Sequence, residues 1–102
     1  MLELRPICEN CGKALPPNAT DAMICSFECT YCAVCATGVL ANVCPNCGGG
    51  FEHRPIRPVT DWKGGNTLAN YPAVTARKLR PADQAAHAAL AARVAGRRPE
   101  DR

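Results

Sequence analysis

Eight cysteines lie between residues 8 and 47, and the rest of the 102-residue chain contains none. Most neighbouring cysteines are separated by two or three residues, a spacing typical of metal-binding turns. They are Cys8, Cys11, Cys25, Cys29, Cys32, Cys35, Cys44 and Cys47. A gap of two residues lets both sulfurs of one turn reach the same ion at about 2.3 Å, the usual zinc–sulfur distance. Because eight thiolates fill two four-coordinate shells, the sequence predicts two zinc ions per chain, with these cysteines as ligands.

Two other uses of clustered cysteines stay open at this point. Disulfides suit small secreted domains, but the N-terminus lacks the basic and apolar segments of a secretion signal, so we expect a reducing cytoplasm. The chain also has no apolar run long enough to cross a membrane. The spacing of Cys29, Cys32 and Cys35 is similar to part of an iron–sulfur ligand run, although the next cysteine follows after eight residues rather than three.

The composition indicates that the fold needs a metal for stability. Aromatic residues make up only 5% of the chain, and alanine supplies much of its apolar fraction, so its core must be thin. Structural zinc contributes about 10–16 kcal/mol per site in small zinc peptides. We therefore predict a small metal-stapled α+β fold that is not stable without metal. Because complete four-cysteine shells leave no open position on the ion, we expect no catalysis.

The charge changes sign near residue 53, which predicts two segments. Residues 1–52, here called the head, form the eight-cysteine zinc-binding module and carry a net charge of −3 with neutral thiols. Residues 53–102, here called the tail, form a basic, proline-containing linker and short helices with a net charge of +6. Two Zn²⁺ bound by eight thiolates would make the head more acidic still. An acidic head and a basic tail are therefore expected to attract each other.

Apolar patterning predicts the regular elements. In the head we expect a short strand at residues 22–27 and a short helix at about 31–40. The expected core is Met23, Ile24, Phe27, Val39, Leu40 and Val43. In the tail we expect helices at about 72–79 and 81–95 and a disordered C-terminus.

The two tail helices are too short and too rich in alanine to be stable alone, so we expect them to dock on the head. The apolar residues available for that contact are Trp62, Tyr71, Leu79, Leu90 and Val94. The two histidines of the chain, His53 and His87, are expected to be solvated rather than to bind metal, because the thiolate shells are already complete.

The order of the cysteines resembles that of RING fingers, including the Cys-Pro-x-Cys ending at residues 44–47. The resemblance covers residues 8–47 and implies a cross-braced pair of sites. One zinc would be held by Cys8, Cys11, Cys32 and Cys35, and the other by Cys25, Cys29, Cys44 and Cys47. The alternative is a sequential arrangement, in which cysteines adjacent in sequence share an ion. RING ligases present an apolar residue where this chain has Glu9 and Asn10, so the resemblance does not imply ubiquitin transfer.

A longer part of the chain, to about Pro58, resembles a narrower group of short bacterial cysteine-rich proteins, domain-of-unknown-function family 1272. The segments that carry this resemblance are Met1–Pro6, Leu15–Pro17, Ile24–Cys32 and Cys44–Gly49. The family has no assigned activity. The sequence thus predicts a structural zinc-binding module that interacts with an unidentified protein partner. Two alternatives stay open: a nucleic-acid-binding zinc protein that uses the arginine-rich tail, and a zinc or thiol redox sensor.

Overall fold

A three-stranded antiparallel sheet forms the centre of the head in a computed structural model that describes residues 1–102. The strands are β1 (Ala22–Ile24), β2 (Thr30–Cys32) and β3 (Glu52–His53), in the order β2-β1-β3. Met23 of β1 pairs with Tyr31 on one side and with His53 on the other. The strand predicted at residues 22–27 is thus shorter than expected, because the chain turns at Cys25 to bring Cys29 back toward the sheet.

A short π-helix, Val34–Val39, follows β2 and buries Cys35 and Ala36. The helix predicted at about residues 31–40 therefore begins later than expected, since its first residues belong to β2. The backbone N–H of Leu40 donates to the carbonyl of Cys35 at 2.8 Å and ends the helix. The small α+β fold predicted from the sequence is confirmed at this level.

The head core consists largely of the cysteines and of apolar residues that pack against them. Its aromatic centre is Tyr31 against Phe51, whose ring centroids lie 5.2 Å apart in an edge-to-face arrangement. The core prediction is wrong for two residues: Phe27 is 71% exposed and Val39 is 46% exposed. The cause for Phe27 is the tight turn after β1, where its backbone N–H points at Cys25 Sγ, 3.3 Å away, while its side chain stays in solvent.

The chain passes from head to tail through β3 and not through a free linker. Just after β3, Arg54 is buried, and its backbone N–H donates to the carbonyl of Ala22 at 2.8 Å. Its guanidinium donates to the carbonyls of Arg5, Leu15 and Pro16 at 2.8–3.2 Å. Burial lowers the pKa of Arg54, since no carboxylate pairs with it directly. This side chain fixes the start of the tail against the N-terminal segment.

The tail contains one α-helix, α1 (Gln84–Val94), within the range predicted from the sequence. Asp83 caps its start by accepting from the N–H of Ala86 at 2.9 Å, and Gly96, with a φ of 78°, follows its end.

The helix predicted at residues 72–79 is not formed, and this segment has no regular structure. The C-terminus, predicted to be disordered, forms a 3₁₀-helix at Pro99–Asp101. None of the helices has the length and apolar content needed to cross a membrane.

Candidate metal centre

Two turns of the head have the same geometry and each carries two cysteines. The first knuckle is residues 8–12 and the second knuckle is residues 44–48. In each, the glycine after the second cysteine donates its N–H to the carbonyl of the first cysteine, at 2.9 Å for Gly12 and 2.8 Å for Gly48. Both glycines have a positive φ, of 79° and 76°, which a residue with a side chain rarely adopts. This turn places the two cysteine side chains on the same side.

Four cysteines converge at the first site. The sulfurs of Cys8, Cys11, Cys32 and Cys35 all lie within 4.8 Å of one another. The first knuckle supplies two of them, the end of β2 supplies Cys32, and the first turn of the π-helix supplies Cys35. The Sγ atoms of Cys11 and Cys32 are 3.8 Å apart. A tetrahedron with metal–sulfur bonds of about 2.3 Å has edges of about 3.8 Å, whereas a disulfide requires about 2.05 Å. The spacing therefore fits four ligands around one ion.

Three cysteines converge at the second site. The sulfurs of Cys25, Cys44 and Cys47 lie within 4.8 Å of one another. Cys29, the fourth residue expected there, is buried beside this group but is not within that distance of all three. Asn46, a residue of the second knuckle, contacts Cys29: its Nδ2 lies 3.4 Å from Cys29 Sγ. Each site has one exposed cysteine, Cys11 in the first and Cys47 in the second.

Backbone N–H groups are directed at the cysteine sulfurs. In the two knuckles, the N–H of Cys11 donates to Cys8 Sγ at 3.5 Å, and the N–H of Asn46 donates to Cys44 Sγ at 3.4 Å. Side chains add to this pattern, because Asn10 Nδ2 donates to Cys35 Sγ at 3.4 Å. Such donors stabilise the ionised form of the acceptor, and the thiolate is the form that binds a metal.

Without a cation, three of the buried thiols resist ionisation. Burial raises the pKa of Cys35 to about 12, and it also raises the pKa values of Cys32 and Cys44. Burial acts the same way on Cys8, but backbone N–H donors outweigh it and lower the pKa of that thiol. A divalent cation would remove this obstacle, because its charge favours release of the thiol protons. The donor set thus fits a soft, thiolate-binding ion such as zinc.

Comparison with known proteins places the chain in a family. A family model described as "Protein of unknown function (DUF1272)" matches residues 1–57. The chain belongs to this family. A protein of Rhizobium meliloti (strain 1021), described only as uncharacterized, is 54% identical to it over 81 residues, which cover 79% of this chain and 89% of the relative. No solved structure matches. The resemblance to this family predicted from the sequence is confirmed, and the match to the relative is longer than the family match.

Glu9 is a residue of this DUF1272 protein whose role the sequence did not reveal. Its side chain lies inside the first knuckle and is 1% exposed. It accepts hydrogen bonds from the N–H of Thr30 at 2.5 Å, from Arg5 at 3.0 Å and from the tail residue Arg80. Burial raises its pKa, but the Thr30 N–H and the two arginines outweigh burial and lower it overall. A carboxylate held in this way is a structural anchor. The one sequence signal was an arginine four residues before it.

The two histidines differ in their environment. His53 is exposed on β3, as expected. The prediction that His87 is solvated is wrong: the residue is 8% exposed, and its Nε2 donates to the carbonyl of Val43 at 2.9 Å. The physical reason is the alanine-rich surface of α1, which lets the helix approach the second knuckle closely. Neither histidine belongs to a cysteine cluster.

The tail of this DUF1272 member contacts both knuckles. The N–H of Arg80 donates to the carbonyl of Glu9 at 2.7 Å, and Arg102 donates to the carbonyl of Gly48 at 3.2 Å. Apolar contact contributes less than expected. Trp62 is 81% exposed and Leu79 is 55% exposed, whereas Leu90 is partly buried. Polar contacts and one face of α1 therefore hold the tail on the head.

Proposed function

We propose that this protein is a structural zinc module with two ions per chain and no catalytic activity, which presents a surface to a protein partner. One ion would be held by Cys8, Cys11, Cys32 and Cys35, and the other by Cys25, Cys29, Cys44 and Cys47. The observation that carries the zinc assignment is the convergence of four sulfurs at the first site, with a sulfur separation of 3.8 Å that matches tetrahedral coordination.

The grouping of the sulfurs supports a cross-braced, RING-like arrangement over a sequential one. A sequential arrangement would join the first knuckle to Cys25 and Cys29. Instead, the first-knuckle residue Cys11 approaches Cys32. The second site combines Cys25 with the second knuckle, so each site closes a loop that contains ligands of the other.

The position of Asn46 supports the inclusion of Cys29. Asn10 and Asn46 occupy the same place in their knuckles, directly before the second cysteine. Asn10 donates to Cys35, which belongs to the first site, and Asn46 donates at the same distance of 3.4 Å to Cys29. The repeated contact indicates that Cys29 has the same role in the second site as Cys35 has in the first.

The interaction role rests on an exposed, ordered loop at residues 58–71. The N–H of Leu68 donates to the carbonyl of Pro58 at 2.9 Å and closes the loop. Within it, Asp61 Oδ1 accepts from the N–H of Gly65 at 3.0 Å. Trp62, the only tryptophan of the chain, is 81% exposed on this loop. A tryptophan in a compact, hydrogen-bonded loop suits a protein-binding site. Because the loop is already ordered, binding a partner costs little further conformational entropy.

Several tail arginines are already bonded within the chain, which weighs against the nucleic-acid alternative. Arg54 and Arg57 donate to backbone carbonyls, Arg80 pairs with Glu9, and Arg98 pairs with Asp101. Guanidinium groups in such contacts are less available to phosphates. The nucleic-acid alternative requires affinity for DNA or RNA that falls steeply with salt. The redox-sensor alternative requires release of zinc by mild oxidant with loss of the fold.

The metal content of purified native protein tests the proposal. We expect close to two equivalents of zinc, a colourless solution and eight thiols reactive after denaturation. Iron with visible absorbance, or disulfides, would refute it.

The interaction role is tested by cross-linking in cells: Trp62→Ala should abolish a discrete complex without changing zinc content. The matched control is Val34→Ala, an apolar residue of the head that is 74% exposed, and it should leave the complex intact.

A further inference from the structure

Tail residues 80–82 run along the first knuckle. The N–H of Arg80 donates to the carbonyl of Glu9 at 2.7 Å, and the guanidinium of Arg80 also pairs with the Glu9 carboxylate. Two residues later, the N–H of Ala82 donates to Asn10 Oδ1 at 2.9 Å. Both knuckle residues thus accept hydrogen bonds from the same three-residue segment. Residues 58–102 lie outside the family match. Through these contacts, a segment outside the family match touches residues of the first metal site.

The side chain of Asn10 connects this tail segment to a metal ligand. Its Oδ1 accepts from Ala82, and its Nδ2 donates to Cys35 Sγ at 3.4 Å. A backbone N–H can only donate, so it must face the amide oxygen, and the NH₂ group must then face the sulfur. Docking of the tail therefore fixes the orientation in which Asn10 donates to the thiolate of Cys35. Without the N–H of Ala82, nothing would fix the orientation of the Asn10 amide except its own contact with Cys35 Sγ.

The second knuckle provides an internal comparison. Asn46 donates to Cys29 Sγ at 3.4 Å, as Asn10 does to Cys35, but its amide also lies 3.4 Å from the hydroxyl of Tyr31. Tyr31 belongs to the head and is 1% exposed. The amide of the second knuckle is thus supported from within the head, whereas that of the first knuckle is supported by the tail. The two sites should differ in their dependence on tail docking.

We propose that the Arg80–Ala82 segment is part of the outer shell of the first metal site and controls metal exchange there, but not at the second site. This inference rests on the proposed binding of zinc by Cys8, Cys11, Cys32 and Cys35. A competing ligand can approach the first site at the exposed Cys11, and exchange then requires the remaining sulfurs to leave the ion in turn. A thiolate whose hydrogen-bond donor is fixed leaves the ion less readily. Loss of such an outer-shell contact typically weakens metal binding by about 10–100-fold.

The decisive variant is Ala82→Pro, which removes the N–H that donates to Asn10 Oδ1 and adds a pyrrolidine ring. The full-length chain is loaded with ¹¹³Cd, and its two resonances are assigned to the sites with Asn46→Ala, which removes a direct contact to Cys29 and so should shift the second-site resonance more than the first. Each resonance is then followed during transfer to excess chelator. We expect Ala82→Pro to shift the first-site resonance and to speed its loss by about tenfold. The second-site resonance should keep its position. Its loss should be accelerated less than that of the first, because only release of the first ion frees the loop that contains Cys25 and Cys29.

The matched control is Gln84→Pro. It adds the same ring at the first position of α1, where the N–H has no partner within the helix and proline is well tolerated. Both resonances should behave as in the unaltered chain. Equal acceleration of both sites in Ala82→Pro would overturn the proposal, because it would indicate general destabilisation. A first-site rate within twofold of the unaltered chain would also overturn it.

A second pair of variants decides the matter if Ala82→Pro does not fold. Arg80→Gln weakens the segment through its contact with Glu9, and Arg77→Gln changes an exposed arginine nearby in sequence. We expect first-site loss to be at least about threefold faster in Arg80→Gln and unchanged in Arg77→Gln. Identical rates in the two would refute the inference. Failure of the unaltered chain to bind two ions would instead refute the proposed zinc function, so the two failures are distinguishable.

Discussion

Glu9 is the only acidic residue among the buried side chains, and its contacts join three parts of the chain. Its carboxylate accepts from Thr30 on β2, from Arg5 in the N-terminal segment and from Arg80 in the tail. A buried charge is stable only when it is paired and hydrogen-bonded, and each of these partners contributes to that requirement. At the position between the first two cysteines, this chain therefore has a structural anchor and not an exposed contact residue.

Replacing Glu9 with glutamine should be strongly destabilising. Glu9→Gln removes the charge but keeps the shape, and it leaves the arginine at position 5, whose side chain is 12% exposed, without its buried partner. Removing one member of a buried ion pair costs about 3 kcal/mol. The measurement is the free energy of unfolding by denaturant of the metal-loaded protein at fixed free zinc. Glu52→Gln, on the exposed face of β3, is the control and should change it by less than about 0.5 kcal/mol. A loss below about 1 kcal/mol for Glu9→Gln would contradict the anchoring role.

At the scale of elements, α1 depends on the head more than on its own sequence. Its residues are mostly alanine, and a helix of 11 residues is marginal in water. Three contacts place it against the second knuckle or its neighbours: His87 donates to the carbonyl of Val43, Leu90 approaches Gly48, and Arg102 beyond the helix donates to Asn42. The first of these is buried, so it should contribute most to keeping the helix folded.

His87→Ala should therefore loosen α1 selectively. The substitution removes both the buried ring and its hydrogen bond to Val43, a loss of about 1–2 kcal/mol. Amide hydrogen exchange within Gln84–Val94 should become about tenfold faster, while exchange in β1 and β2 should stay the same. His53→Ala removes the exposed histidine of β3 and serves as the control, with no expected change in α1. If His87→Ala left exchange in α1 unchanged, the helix would be held by other contacts.

These elements also indicate what local sequence can and cannot predict. The capping residue Asp83 and the glycine at position 96 are local signals, and α1 lies within the range predicted from them, about 81–95. The segment at 72–79 was predicted as a helix but is irregular, since it leads into Arg80, whose N–H is bonded to Glu9 some seventy residues earlier. Local propensity contains no information about such a partner.

The same distinction applies to the candidate site. Cysteine spacing predicts which residues can bind metal, because two ligands in one turn are fixed by local geometry. It does not predict the outer contacts, since the partners of Asn10 and Asn46 come from distant parts of the chain. The exposed position of Phe27 was missed for a related reason: in an ordinary strand it would be apolar core, but the chain turns to bring Cys29 toward the second site.

At the scale of the whole molecule, the two sites and the tail form one connected system. The first site uses the first knuckle, β2 and the π-helix, while the second uses the turn after β1 and the second knuckle. The tail crosses both knuckles through Arg80 and Arg102. Under the proposed cross-brace, release of either site frees a loop that contains ligands of the other.

This connectivity makes Cys47→Ser the test of cooperation between the sites. Cys47 is an exposed cysteine of the second site, so under the proposed zinc binding its loss would remove one metal bond with little change in packing. In a cross-braced head, loosening the second site also frees the loop that contains Cys32 and Cys35, and the first site should weaken with it. We expect zinc content to fall below one equivalent and both ¹¹³Cd resonances to change. Ser26→Ala, an exposed residue in the turn after β1, is the control and should retain both ions. A Cys47→Ser protein that keeps one full equivalent and an unaltered first-site resonance would indicate independent sites, as the sequential arrangement requires.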